Sequence, residues 1–303
     1  MKAAVLYETK QPLVIEQVDL DEPKNGEVLV KIGAAGICRS DRHFMHGDAR
    51  INLPVVLGHE GAGTVEKVGP GVTLTKPGDQ VILSFVPACG RCKSCLAGYS
   101  NLCDLHMATG PFMLDGTTRL HKGGQDIHHM GKVACFAEYA VVPETGCIPI
   151  PDTISMDKAA MIGCCVPTGV GAVVYSAQVT PGSTVAVVGC GGVGLNVIMG
   201  AKLLNASKII AVDIRESQLE FAMKFGATHS VNASDQDPVA RVKEITGGLG
   251  ADYTFEVFGS ADTIKSSYEM AGKRGTVTVV GIAPADVEAP INAVDLVRNE
   301  KTL

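Results

Sequence analysis

The 303-residue chain has no run of basic residues, and its formal net charge is -6. A general grip on nucleic acid or on an anionic membrane needs clustered Lys and Arg, so neither is expected as its main partner. The opening residues, Met1-Lys2-Ala3-Ala4-Val5-Leu6-Tyr7-Glu8, lack the apolar core of a signal peptide. Between Ala159 and Ala201 charge is absent altogether. Gly and Pro interrupt that stretch and Thr, Ser and Gln punctuate it, so it reads as buried helix and strand rather than a membrane span. No long disordered tail is indicated by 46% apolar and 19% charged residues. The length suits about two domains. What the chain does have is ten cysteines. Without a secretory signal, these point to metal binding and free thiols in a reducing cytoplasm.

Cys38 to Glu60 concentrates the chemistry. It opens Cys38-Arg39-Ser40-Asp41-Arg42-His43 and closes Gly58-His59-Glu60. Cys and His are favoured zinc ligands, and a catalytic zinc takes three protein ligands and keeps one position open. Cys38 and His59 offer two of the three. Asp41 is placed to hold the second ring nitrogen of His59, and Glu60 puts a carboxylate beside the metal. Taken alone, the pair better suits a buried Cys and a satisfied His joined by a loop.

Residues 1 to about 85 read as short strands between Gly and Pro turns, among them 28–32, 63–68 and 81–85, which suggests a barrel-like β domain. Cys89, Cys92, Cys95 and Cys103 then follow as C-x2-C-x2-C-x7-C. Four thiolates on one loop suit a closed, structural zinc site. Residues 104–135 are polar, and their histidines (His121, His128, His129) read as solvated loop residues. A helix is expected after Ser155, leading to Gly163-Cys164-Cys165, where either thiol is a candidate third ligand or a core cysteine.

Beyond Cys165 strands alternate with helices, the pattern of a parallel sheet. Strand 183–188 runs into Gly189-Cys190-Gly191-Gly192-Val193-Gly194 and a helix. This is G-x-G-x-x-G in its strand-turn-helix setting, a cradle for a dinucleotide pyrophosphate. The next strand ends in Asp213, about 20 positions on, where an acid accepts hydrogen bonds from the adenosine ribose and favours NAD over NADP. Arg215 nearby would instead receive a 2′-phosphate. Three further strands, at 228–231, 252–257 and 275–281, bring the sheet to five.

In this order, these motifs resemble the zinc-dependent medium-chain alcohol dehydrogenases over the whole chain. The resemblance implies an α/β fold: a GroES-like, barrel-type catalytic domain (1–165) and a doubly wound Rossmann domain (166–303). It implies a catalytic zinc on Cys38, His59 and Cys164 with Glu60 beside it, and a structural zinc on Cys89, Cys92, Cys95 and Cys103. Ser40 then takes the alcohol proton and His43 relays it to solvent. Arg39 contacts the pyrophosphate, Thr168 neighbours the nicotinamide and Phe85 walls the substrate pocket. The reaction implied is reversible hydride transfer between a primary or secondary alcohol and NAD, giving aldehyde or ketone. Met107 replaces the Arg of the glutathione-dependent formaldehyde branch, so that substrate is not expected. Residues 104–135 resemble the insertion of dimeric members, which implies a homodimer, and also that of a branch with permanently bound nicotinamide. A sixth strand follows in the family but is not evident before Leu303, so the resemblance implies an incomplete copy of a longer enzyme, aggregation-prone and weakly active alone. A non-catalytic zinc- and NAD-binding fragment is the alternative reading, though Ser40 completes a catalytic set. A zinc-free quinone reductase would lack both ligand sets.

Overall fold

The computed structural model describes residues 1–303, which divide into two compact units, Met1–Cys164 and Cys165–Leu303. The break falls one residue before the expected boundary.

The first unit holds two antiparallel-rich sheets. One has the order β2-β1-β5-β9-β8-β3, from β1 (Lys2–Leu6), β2 (Val14–Gln17), β3 (Asp19–Leu20), β5 (Val55–Val56), β8 (Leu120–Lys122) and β9 (Gln125–His129). The other has the order β10-β4-β6-β7-β11, from β4 (Glu27–Gly36), β6 (Glu60–Val68), β7 (Gln80–Leu83), β10 (Tyr139–Pro143) and β11 (Cys147–Pro149). Its helices are α1 (Arg39–His46), α2 (Lys93–Leu96), α3 (Asp104–Thr109) and α4 (Met156–Ile162). In β4, Val28 and Val30 face the core while Lys31 is exposed, the period-2 alternation of a half-buried strand. Val28, Val30, Val81 and Leu83 are fully buried in one cluster. At about 1.5–3 kcal/mol per buried side chain, they fix the β4–β6–β7 register. That register sets Gly36 opposite Glu60, so the end of β4 and the start of β6 meet.

Residues 104–135 depart from the expected solvated loop. β8 and β9 pair as a hairpin with Leu120 opposite Ile127, both buried. Arg119 is fully buried and forks onto Glu27 at 2.8 and 2.6 Å. His129 is buried too, and its Nε2 accepts from the Arg119 amide at 3.0 Å. His128 donates from Nδ1 to the Pro54 carbonyl at 3.0 Å. Only His121, between Asp21 and Asp126, sits towards solvent. These histidines are therefore strand residues, and a buried ion pair distant in sequence lies beside His129.

The second unit is a parallel sheet of order β14-β13-β12-β15-β16, formed by β12 (Thr184–Val188), β13 (Lys208–Asp213), β14 (His229–Asn232), β15 (Ala251–Glu256) and β16 (Ala271–Val279). Helices α5 (Cys165–Gly171), α6 (Gly192–Leu203), α7 (Glu216–Phe225), α8 (Pro238–Ile245), α9 (Ala261–Met270) and α10 (Ala293–Arg298) accompany it. The strand order reverses between β12 and β15, the switch point outside whose carboxyl ends ligands bind in such sheets. Thr302 adds one parallel bridge to Thr276 beyond β16. No single helix is long and apolar enough to cross a membrane; the uncharged stretch divides into α4, α5, a π-helical turn, β12 and most of α6.

Candidate active site

Chain leaving β4 turns at Cys38, the N-cap of α1. Asp41 in the first turn reaches back to accept from the Cys38 amide at 2.8 Å. Its other oxygen accepts from the Gly58 amide at 3.1 Å and lies 3.2 Å from His59 Nδ1. Asp41 is fully inaccessible, so this carboxylate clamps both ends of the 38–59 stretch. Gly58 makes the approach possible: its φ is +89°, and a Cβ there would lie 2.8 Å from the Phe136 amide nitrogen. Gly36 is equally constrained, since a Cβ would press on the Glu60 side chain.

Cys164 arrives at the end of α4, so Cys38, His59, Glu60 and Cys164 come together. One ligand atom from each lies within 4.8 Å of all the others. Ligand bonds of about 2.0–2.3 Å imply tetrahedral edges of about 3.3–3.8 Å, so this spread needs only slight closure around a zinc ion. Because Asp41 takes Nδ1, the ring presents Nε2 to the cluster. The Cys38 thiol is pulled down to about 3, first by the hydrogen bond from Cys164 and then by His59, against the opposing effect of burial. Burial pushes His59 down, but Asp41 and Cys38 outweigh it and raise the imidazole to about 9. Glu60 is raised, chiefly by burial and then by the Cys38 charge. Two thiols, an imidazole and a carboxyl group, gathered and mostly buried, are a donor set for a borderline-soft divalent ion.

Of the other expected residues of this unit, Ser40 and Phe85 touch the cluster. Ser40 Oγ is 3.7 Å from Cys38 Sγ. The Phe85 ring meets His59 edge-on at 5.2 Å between centroids. His43 Nδ1 lies 3.2 Å from Asp48 Oδ2, a partner that sequence reading missed. The turn closing α1 places it: Gly47 is left-handed, and the Asp48 amide donates to the His43 carbonyl at 2.9 Å. Arg39, the first residue of α1, is exposed.

Cys89, Cys92, Cys95 and Cys103 form a second cluster, also with all ligand atoms within 4.8 Å. Backbone amides point at its sulfurs: Cys89 N–H to Cys103 Sγ at 3.3 Å, Asp104 N–H to Cys92 Sγ at 3.4 Å and Cys95 N–H to Cys92 Sγ at 3.5 Å. Such donors favour thiolates. Cys92 is lowered, first by the Cys95 amide; Cys103, despite burial, is brought to about 6 by the Cys89 amide. With four protein ligands, no position is left for substrate.

The chain as a whole has counterparts among known proteins. Residues 24–152 match the alcohol dehydrogenase GroES-like domain model, and residues 192–303 the zinc-binding dehydrogenase model. A solved alcohol dehydrogenase zinc-binding domain protein from Burkholderia ambifaria is 37% identical, with TM-score 0.94, over 99% of this chain and 82% of that one. The chain belongs to the zinc-dependent medium-chain alcohol dehydrogenase family. Benzyl alcohol dehydrogenase from Acinetobacter calcoaceticus is similar at 35% identity and TM-score 0.94, with the same coverage. A structure from Sinorhizobium meliloti, described as a zinc-binding dehydrogenase bound to NADP, is 31% identical with TM-score 0.81, over 99% of this chain and 82% of that one.

In this family member the dinucleotide elements of the second unit are assembled as a cradle. Gly189 has φ +97°, and Gly194 packs so closely on Gly189 that a Cβ would lie 2.9 Å from its carbonyl carbon. Gly191 and Gly192, at the N-terminus of α6, are exposed, and a Cβ on either would meet nothing within 4 Å. Val193 lies in the first turn of α6. This leaves open space over helix amides, suited to a phosphate. Asp213 accepts from the Cys190 amide at 2.8 Å and the Arg215 amide at 3.0 Å, so one side chain ties the glycine turn to the end of β13. Thr168, on α5, is half-buried. Gly169 lets α5 approach α6, where a Cβ would lie 2.9 Å from the Val197 amide nitrogen.

Proposed function

We propose that this family member oxidises a primary or secondary alcohol reversibly, passing hydride to NAD and using one catalytic and one structural zinc per chain. The observation that carries this is the meeting of Cys38, His59, Glu60 and Cys164 around the Asp41 clamp. Cys38, His59 and Cys164 would hold the catalytic metal, with the Glu60 carboxyl group in the same cluster. A zinc ion there supplies Lewis-acid polarisation of the substrate oxygen. Asp41 fixes the His59 ring and its tautomer. The Ser40 hydroxyl takes the alcohol proton, and His43, held by Asp48, passes it towards solvent. A nicotinamide held by the second unit would supply the acceptor for the hydride, which carries the C–H electron pair. Phe85 lines the substrate side of His59. The Gly189–Gly194 turn would hold the pyrophosphate, and Thr168 would flank the nicotinamide. Asp213 favours NAD by repelling a 2′-phosphate, and it keeps Arg215 close, with Nε 4.0 Å away. Similarity to a benzyl alcohol dehydrogenase puts aromatic primary alcohols at the head of the substrate panel.

The test is metal analysis of purified protein, followed by benzylic, aliphatic primary and secondary alcohols with NAD and NADP, monitored by reduced-cofactor absorbance. Two zinc ions and alcohol-dependent NADH formation are expected. Zinc without turnover of any alcohol would leave a binding protein in its place.

A further inference from the structure

We infer that Glu256 is a positioning residue for the dinucleotide, locking two loops behind the glycine turn; this rests on the proposal that the second unit binds that cofactor. Glu256 ends β15, beside the switch point of the sheet, and is fully buried. Its Oε1 accepts from the Phe258 amide at 2.9 Å, the Gly259 amide at 2.7 Å and the Thr263 hydroxyl at 2.7 Å. Its backbone carbonyl accepts from the Val280 and Gly281 amides at 2.8 and 3.0 Å. One residue therefore holds the loop after β15 and the loop after β16. Those loops also press on each other: a Cβ on Gly259, at φ +89°, would lie 2.6 Å from the Ile282 carbonyl carbon.

The first loop backs the cofactor cradle. A Cβ on Gly189 would lie 3.3 Å from the Val257 carbonyl carbon and 3.4 Å from the Phe258 nitrogen. Movement of 257–259 thus reaches the first glycine of the turn directly. Oε2 of Glu256 is buried without a hydrogen-bond partner and faces Gly281, where a Cβ would lie 2.7 Å away. The three-donor grip of Oε1 fixes backbone at the ligand-facing end of the strands.

The test compares wild type, Glu256→Ala, Glu256→Gln and Thr263→Val by NADH fluorescence titration, amide hydrogen exchange without cofactor, and zinc content. Glu256→Ala should expose the Phe258 and Gly259 amides to faster exchange and weaken NADH on the order of tenfold, roughly one lost hydrogen bond. Glu256→Gln keeps the accepting oxygen and should restore most of both. Thr263→Val, which removes one donor, should move both readouts less and in the same direction. Zinc should stay at the wild-type value throughout. Unchanged exchange would overturn the loop-holding role, and faster exchange with unchanged NADH affinity would overturn the link to the cofactor. Wild type that binds neither NADH nor NADPH would instead remove the cofactor proposal itself, whatever the exchange shows.

Discussion

Replacing Asp41 by Ala should weaken the catalytic zinc, and by more at high pH than at neutral pH. The carboxylate holds three partners: the Cys38 amide, the Gly58 amide and His59 Nδ1. Removing it frees the ring that must present Nε2, and loss of such a partner typically lowers metal affinity about 10–100-fold. A second effect runs the other way. His59 stands at about 9 in the metal-free protein, so at pH 7 a proton occupies the ligand nitrogen and handicaps zinc by about 100-fold, two pH units' worth. Asp41 is one cause of that elevation; without it burial pulls His59 back down and the handicap shrinks. At pH 7 the two effects partly cancel. Above about 9 His59 is neutral in either protein, and the full 10–100-fold loss should show. Wild-type affinity should itself rise with pH until about 9 and then level off as far as His59 governs it. Competition with a graded chelator series at pH 7 and 9.5, following the metal that Cys164→Ser removes, measures both effects. Equal affinity of the two proteins at pH 9.5 would refute the clamp, and a loss confined to pH 7 would reverse the sign of the reasoning.

Cys164→Ser should remove one zinc and abolish alcohol oxidation, whereas Cys165→Ser should spare both; metal analysis distinguishes them, and the reverse result would move the ligand assignment. Asp213→Gly should narrow the gap between NAD and NADP in kcat/KM, because it removes the repelling carboxylate beside Arg215; wild type preferring NADP would show that role to be wrong. Arg119→Ala should destabilise the protein by about 3–5 kcal/mol in urea titration, since it leaves the Glu27 carboxylate buried without its fork. A change under about 1 kcal/mol would mean that water reaches Glu27.

Features whose partners lie close along the chain could be read before any fold was known. Gly189 to Gly194 followed by α6 is a local device, because the turn, the helix amides and the glycine spacing all lie within a few residues. The four cysteines from Cys89 to Cys103 are local in the same sense. Cys38 and His59, with Cys164 or Cys165, could be picked out by type as a ligand set, and the choice of Cys164 came from family likeness. Their meeting depends on Gly36 facing Glu60 across β4 and β6, and on α4 returning to that strand end. Reading 104–135 as solvated loop failed for the same reason. Leu120 and Ile127 are its only clear strand signal, and what buries His129 is Arg119 paired with Glu27, 92 positions away. Asp48 was missed because any acid after Gly47 reads as a turn residue until the helix end folds it onto His43. Glu256 shows the limit most sharply. In sequence it is one acid at the end of a strand, yet its carboxyl group and carbonyl together grip two loops whose closeness only the strand order of the sheet decides. Polar residues whose partners come from the topology are thus the least legible class, and here they include the groups that hold the His59 ring and back the glycine turn.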